Sequence, residues 1–148
     1  MNIQQIVEFF DNDRFAKMTG AVVEEITDDE VVCSLALGGN HRNAGGTVQG
    51  GAIFTLADFA FAIACNLDDL KADVAAISVS QSSTILFFRP ATGSRLVARA
   101  TCLQKGRKLS VYRMVVTDDT GVCVAEMTGN AYRVVKQLLQ TQPGTRPI

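Results

Sequence analysis

The sequence predicts an α+β domain in which one long helix is wrapped by an antiparallel sheet of about six strands. Residues 51–67 are rich in Ala, Phe, Leu and Ile and contain no proline or internal glycine. A helix that is apolar almost all round must be buried on nearly every side. In the last predicted strand, mostly small residues share one face by the two-residue period, which lets a sheet approach a helix closely. These residues are Cys123, Ala125, Met127, Gly129 and Ala131.

The other elements follow from periodicity and turn residues. Apolar positions within 2–18 predict a helix and, after Asn12, a second helical turn. Segments rich in β-formers predict strands at 21–26, 31–37, 76–88, 94–105, 108–117 and 122–134. A loop rich in Gly and Asn covers 38–51, and the polar tail after residue 140 is expected to be loose. Because no repeat or linker interrupts the pattern, residues 1–148 are interpreted as a single domain.

Composition excludes several classes of protein. Hydrophobic residues make up 47 % of the chain and charged residues 20 %, as in ordinary soluble proteins. Fourteen basic and fifteen acidic residues give a net charge of -1, and no stretch concentrates Lys and Arg, which disfavours a nucleic-acid partner. The N-terminus lacks the features of a signal peptide, and the longest apolar run, 52–65, is shorter than the roughly 20 residues that span a bilayer. We therefore expect a cytoplasmic protein with no membrane partner.

The four cysteines form no CxxC pair, and the chain has one histidine. Zinc and redox motifs depend on closely spaced Cys and His residues. The sequence therefore predicts neither a metal site nor a redox centre.

Asp58 is the most informative residue, because it lies in the middle of the apolar helix. Burying an unpaired carboxylate costs several kcal/mol or raises its pKa, and such groups cluster at functional sites. The alternative is that Asp58 points into solvent or pairs with an arginine such as Arg113.

The glycine pair at the start of this helix is the second feature, in the sequence Val48-Gln49-Gly50-Gly51. The first N–H groups of a helix have no internal acceptor and carry the positive end of its dipole. Glycine lets a ligand approach that backbone, where a thioester carbonyl would gain stabilisation as it becomes tetrahedral. The alternative is an ordinary glycine-rich start of a helix.

The spacing of these two features predicts a dimer. Gly50 and Asp58 are eight residues apart, which separates them by about 12 Å along a helix. They cannot both contact one carbonyl from the same chain. If both act in one reaction, Asp58 must come from a second subunit.

Residues 41–66 resemble the signature of the PaaI-like, phenylacetate-degradation branch of hotdog-fold thioesterases, within the hydroxybenzoyl-CoA thioesterase superfamily. That signature reads H-x-N, then G-x-x-H-G-G, then L-x-D, and the order of predicted elements fits the whole chain. It matches at His41, Asn43, Gly46, Gly50, Gly51, Leu56 and Asp58. One position departs from it, since Gln49 stands where the family usually has histidine. Glutamine donates and accepts hydrogen bonds but cannot shuttle a proton near neutral pH.

The resemblance implies a hotdog-fold enzyme that hydrolyses acyl-CoA, with no cofactor besides the CoA of its substrate, as a homodimer or a tetramer of paired dimers. Gly50 would polarise the thioester carbonyl, with Gly51 beside the substrate, and Asp58 of the partner subunit would act as general base or nucleophile. Asn43 and Gln49 would orient water or the carboxylate. Ser80 resembles a polar position near the water in some relatives. His41 is interpreted as a residue that packs the loop.

Two basic segments resemble those that meet the CoA nucleotide in this family, and both side-chain types suit phosphate. Their residues are Arg89, Lys105, Arg107 and Lys108. The alternative is two ordinary solvated turns. Phenylalanines 54, 59, 61 and 87 either line a substrate pocket or fill the core.

Two further functions stay open at this point. Gln49 is compatible with a non-catalytic hotdog protein that binds acyl-CoA. A hotdog dehydratase or hydratase would need a catalytic histidine facing an acid.

Overall fold

The computed structural model of the protein describes residues 1–135, so the predicted loose tail after residue 140 lies outside the described residues. Three α-helices are present in this part of the chain, α1 (Ile3–Phe10), α2 (Arg14–Thr19) and α3 (Gly50–Lys71), together with one short 3-10 helix at Gly39–His41. The six strands are β1 (Ala21–Ile26), β2 (Glu30–Ala36), β3 (Ala76–Phe87), β4 (Arg95–Lys105), β5 (Leu109–Asp118) and β6 (Cys123–Val135).

Local hydrogen bonds determine where the two N-terminal helices begin. The Asn2 side chain accepts from the N–H of Gln5, and the Gln5 side chain accepts in return from the N–H of Asn2. Asp13 caps α2 by accepting from the N–H of Ala16. Both arrangements satisfy N–H groups that a helix leaves without a partner. Gly20, with φ of 89°, ends α2 in the left-handed region that favours glycine.

The central helix α3 extends to Lys71, four residues beyond the prediction of 51–67. Its last turn is polar and therefore lacks the apolar pattern from which the prediction was made. Ion pairs connect this turn to three surrounding elements. Asp68 pairs with Lys105 at 2.6 Å, Asp69 with Arg133 at 2.6 Å, and Lys71 with Asp28 at 2.8 Å.

The strands form one antiparallel sheet in the order β1-β2-β4-β5-β6-β3. The sheet wraps around α3, which confirms the predicted fold class. The predicted close approach is clearest at Gly129 of β6, where an added Cβ would lie 2.9 Å from the Phe61 ring. Phe59 and Phe61 are buried and fill the core.

By length and composition, α3 could cross a membrane. Half of its most apolar stretch is buried inside the protein. Its buried side chains, among them Leu56, Ala60 and Ile63, belong to the hydrophobic core.

Candidate active site

The loop before α3 is held in place by His41. Its Nδ1 accepts from the N–H of Gly38 at 2.9 Å, so Nε2 carries the proton and donates to the carbonyl of Thr19 at 2.6 Å. The His41 carbonyl accepts from the N–H of Gln49 at 2.7 Å. Both ring nitrogens are therefore occupied in fixing the loop between α2 and the start of α3.

Asn43 organises the middle of the same loop. Its Oδ1 accepts from the N–H groups of Gly45 and Thr47, and its Nδ2 donates to the Thr47 hydroxyl at 2.8 Å. These contacts use both ends of the carboxamide. In this structure Asn43 shapes the loop that leads to Gly50.

The start of α3 presents backbone donors. Gln49 is the N-cap residue, but its exposed side chain makes no capping hydrogen bond. Within residues 1–135, the N–H groups of Gly50 and Gly51 have no acceptor. Since α3 has 22 residues, these donors lie at the positive end of a long helix dipole. They can stabilise a developing oxyanion.

Asp58 is half-buried on α3. No hydrogen bond or cation within residues 1–135 contacts its carboxylate, and its pKa is raised, first by burial and then by the negative charge of Asp13. The alternative pairing with Arg113 is wrong, because that guanidinium binds both oxygens of Glu126 at 2.7 and 2.8 Å. Asp58 is thus a carboxylate with an increased affinity for protons.

Asp58 belongs to a face of α3 that the sheet leaves partly uncovered. We call this face the open stripe, and it consists of Gly51, Thr55, Asp58 and Ala62. The spacing of four, three and four residues places them one above another, and each is exposed or half-buried. Leu56 and Ala60, which lie between them in sequence, are fully buried.

The edge strand β3 runs beside α3 in the opposite direction. At one end, Phe87 lies beside Gly50, and a Cβ added to Gly50 would be 3.3–3.4 Å from carbons of the Phe87 ring. At the other end, Asn66 donates to the carbonyl of Ser78 at 3.0 Å and accepts from its N–H at 2.8 Å. The two elements are therefore aligned over most of their length.

The middle of β3 carries a bulge at Gln81, where the register with β6 shifts. The hydroxyls of Ser80 and Ser83 flank it and are 3.3 Å apart. Asp58 is halfway along α3 between its two contacts with the ends of β3. The serine pair and Asp58 consequently occupy similar levels along the helix axis.

An open depression of about 380 Å³ lies at the start of α3. It is lined by Thr47, Val48, Gly50, Ile53 and the segment from Phe87 to Pro90, which includes Arg89. The structure thus brings Arg89 to the same depression as the Gly50 backbone. Sequence periodicity could not predict that Arg89 lies close to Gly50, because 39 residues separate the two positions.

The other predicted CoA-binding residues lie at the far end of α3. Burial by itself lowers the pKa of Lys105, but its hydrogen bond to Asp68 and the nearby Tyr112 reverse this effect, so the pKa is raised. Arg107 and Lys108 line a separate cavity of about 370 Å³. About 27 Å of helix separates Gly50 from Asp68, so one chain does not bring these cations to Gly50.

Residues 1–135 contain no group of three or more His, Cys, Asp or Glu side chains arranged to hold a metal ion. Of the cysteines, Cys33 and Cys65 are buried and unpaired, and burial raises the pKa of each thiol to about 12. Neither thiol is suited to nucleophilic chemistry near neutral pH.

A six-stranded antiparallel sheet wrapped around one long helix defines a hotdog fold. Within residues 1–135, the first N–H groups of that helix have no acceptor. Residues 45–125 match the family described as the Thioesterase superfamily. The chain belongs to this family, as a PaaI-like hotdog thioesterase that hydrolyses thioesters.

Individual relatives agree with this assignment. The acyl-coenzyme A thioesterase PaaI of Escherichia coli is 30 % identical over 126 residues, covering 84 % of this chain and 86 % of the relative. Its solved structure superposes with a TM-score of 0.79 at 27 % identity, covering 88 % and 91 % of the two chains. A variant of the phenylacetic acid degradation protein PaaI from Thermus thermophilus gives a TM-score of 0.74 at 31 % identity, covering 82 % of this chain and all of that one.

Proposed function

We propose that this protein hydrolyses an acyl-CoA to the free acid and CoA at a site shared by two subunits. One observation carries the proposal: in the described part of the chain, N–H donors without an acceptor open onto a depression, and a carboxylate without a partner lies two helical turns away. The similarity to an acyl-coenzyme A thioesterase supports CoA esters as the substrate class, as does Arg89 beside Gly50.

The distance between Gly50 and Asp58 is the reason for two subunits. Their separation of about 12 Å along a rigid helix exceeds the reach of both groups toward one carbonyl carbon. A second α3, antiparallel to the first about a two-fold axis near Phe54, would bring Asp58 of the partner subunit to Gly50. Such an interface generates two equivalent sites.

Two uncovered surfaces support this dimer. The open stripe leaves one face of α3 incompletely buried, although α3 is otherwise a core helix. The edge strand β3 has 12 residues and exposes apolar side chains, with Leu86 at 59 % and Val79 at 46 %. A long apolar edge strand is an aggregation hazard unless another element covers it.

The proposed reaction begins when the thioester oxygen accepts from the Gly50 N–H. Asp58 of the partner subunit removes a proton from water, and the water oxygen bonds to the carbonyl carbon. The tetrahedral intermediate collapses as the C–S bond breaks, and the sulfur leaves with the electron pair. Asp58 then returns the proton to the thiolate. Its raised pKa suits this role, because a base is most effective when its pKa approaches the working pH.

Gln49 is compatible with this chemistry despite replacing a histidine. A thiol has a pKa of about 8.5, so a thiolate leaves without a strong acid to protonate it. An amide N–H at Gln49 is sufficient to orient the water or the carboxylate. We assign Asn43 to holding the loop that carries Gly50. Because Ser80 lies level with Asp58 of its own chain, the partner subunit's Ser80 is assigned to the water beside Asp58 of the partner subunit.

The basic residues fit a CoA that crosses the subunit boundary. Arg89 lies near the thioester end. In the antiparallel dimer, the far end of the partner's helix would lie about 15 Å beyond Gly50. The partner subunit's Lys105, Arg107 and Lys108 would then face the phosphates of an extended CoA.

The proposal is tested with purified protein and acetyl-, butyryl-, phenylacetyl- and palmitoyl-CoA, following thiol release. Turnover of at least one ester is expected. Single turnover in ¹⁸O-water tests the nucleophilic role of Asp58, since water that attacks the aspartyl carbonyl of an acyl-aspartyl anhydride would leave the label in Asp58. Stoichiometric binding of every ester without thiol release would instead indicate an acyl-CoA-binding protein.

A further inference from the structure

The Phe87 ring lies beside the proposed oxyanion donor, in the space that a side chain at residue 50 would need. The three atoms nearest to the Cβ position of Gly50 all belong to the Phe87 ring, at 3.3, 3.4 and 3.8 Å. At 3.3 Å, an added Cβ would be closer to the ring than an ordinary van der Waals contact allows. The ring can occupy this position because residue 50 has no side chain.

The ring is also open to solvent on its other side. Phe87 is 51 % exposed, whereas Phe59 and Phe61 are at most 5 % exposed. Its open surface faces the depression at Gly50. Core packing therefore does not account for this side chain.

Phe88 provides an internal comparison. It is also 51 % exposed and lines the same depression. None of its atoms is among the three nearest to the Cβ position of Gly50. Two adjacent phenylalanines with equal exposure thus differ in their contact with the donor residue.

We infer that Phe87 is a positioning residue whose ring forms the wall beside the Gly50 N–H and limits the bulk that the acyl group can carry next to its carbonyl. The inference rests on the proposed function. Phe87 lies beside Gly50 in the same depression, so an acyl group whose carbonyl oxygen binds 2.7–3.1 Å from the donor nitrogen would occupy the space next to the ring.

The Phe87 ring should therefore discriminate between acyl groups by the branching at their α-carbon. Butyryl-CoA and isobutyryl-CoA contain the same atoms and differ only in branching beside the carbonyl. The wild-type protein should prefer the straight chain. In Phe87→Ala the ratio of their kcat/KM values should fall by roughly tenfold, the size of effect expected for one methyl group against a pocket wall. Phe88→Ala should keep the wild-type ratio.

If Phe87→Ala is poorly folded, Phe87→Leu serves as a second variant. Its ratio of kcat/KM values should shift in the same direction. A ratio within twofold of wild type in both Phe87 variants would overturn the inference while leaving the proposed function intact. Absence of turnover by the wild-type protein would overturn the proposed function as well.

The contact itself is tested with Gly50→Ala, which keeps the N–H but adds a methyl group against the ring. The loss of kcat/KM caused by Gly50→Ala should be smaller by roughly fivefold in a Phe87→Ala background, because groups in contact give non-additive effects. The same loss in a Phe88→Ala background should be unchanged. Additive losses for Gly50 and Phe87 would show that the ring does not border the donor in the working enzyme.

Discussion

Replacing Asp58 by Asn should remove activity and increase stability at the same time. The amide is nearly isosteric with the carboxylate but cannot accept a proton. Loss of a general base costs about 10²–10⁴-fold in rate, while the Gly50 donors remain in place. We therefore expect kcat to fall by a factor in that range, measured as thiol release from the best CoA ester.

The stability effect follows from the raised pKa of Asp58, which burial causes first and Asp13 second. An acid whose pKa is raised by folding favours the native state below its ordinary pKa, and this advantage is lost as the pH rises through the folded pKa. At neutral pH the wild type carries an unfavourable buried charge that Asp58→Asn removes. The variant should unfold at a higher temperature at pH 7, and the difference should disappear in acid.

Asp69 is a matched control on the same helix, because its pKa shifts in the opposite direction. Its hydrogen bonds and ion pair with Arg133 lower its pKa. It therefore stabilises the fold above its ordinary pKa and loses this effect as the pH falls. Asp69→Asn should destabilise the protein by about 1–2 kcal/mol at pH 7 and leave the chemical step nearly unchanged.

The comparison requires thermal unfolding of all three proteins at one protein concentration, since oligomers show concentration-dependent stability. Near wild-type kcat in Asp58→Asn would show that Asp58 is structural. A lower unfolding temperature for that variant at pH 7 would refute the reasoning from burial.

Further predictions concern Gln49, Asp13 and the contact between Gly129 and Phe61. Gln49→His should retain or raise kcat/KM, because a hydrogen bond is the only requirement there, and a large fall would reveal a task that imidazole cannot perform. Asp13→Asn keeps the helix cap but removes a negative charge near Asp58, so the acidic limb of the pH–kcat/KM profile should move to lower pH. An unchanged limb would mean that Asp13 does not act on the base. Gly129→Ala should destabilise by about 1–3 kcal/mol in urea unfolding, and Phe61→Leu should relieve part of that loss. Full wild-type stability would contradict the close packing at β6.

The fold was predictable because its main pattern is local. The alternating small residues of β6 predicted that this strand approaches α3 closely, and the structure places Gly129 against Phe61. The end of α3 was not predictable, because its polar last turn depends on ion pairs with distant residues such as Arg133. Periodicity contains no information about such tertiary partners.

The candidate site was predictable only in part for the same reason. Asp58 stands out because a charged residue lies within an apolar helix. Gly50 stands out because glycine exposes the backbone at the start of that helix. The effect of Asp13 on Asp58 arises from folding across 45 positions of sequence, and no local pattern indicates it. Asn43 fits a catalytic motif in the sequence, yet its hydrogen bonds to the loop became visible only in three dimensions.

The shared site is the central claim, and subunit complementation tests it most directly. Asp58→Ala disables one end of the site, and Gly50→Pro disables the other by removing an N–H. Proline suits position 50, because this is the first residue of α3 and Gln49 has the extended ψ of 130° that a following proline requires. Because the added proline ring meets Phe87, folding and dimerisation of Gly50→Pro are first checked by circular dichroism and gel filtration. Both variants should be inactive alone.

Co-expression with two different affinity tags yields mixed dimers that can be purified as such. Each mixed dimer should contain one site with both groups intact and one with neither, so purified mixed dimers should recover about half of the wild-type activity. An unfractionated random mixture should recover about a quarter. Proven mixed dimers that stay as inactive as both parents would show that each chain carries its own complete site.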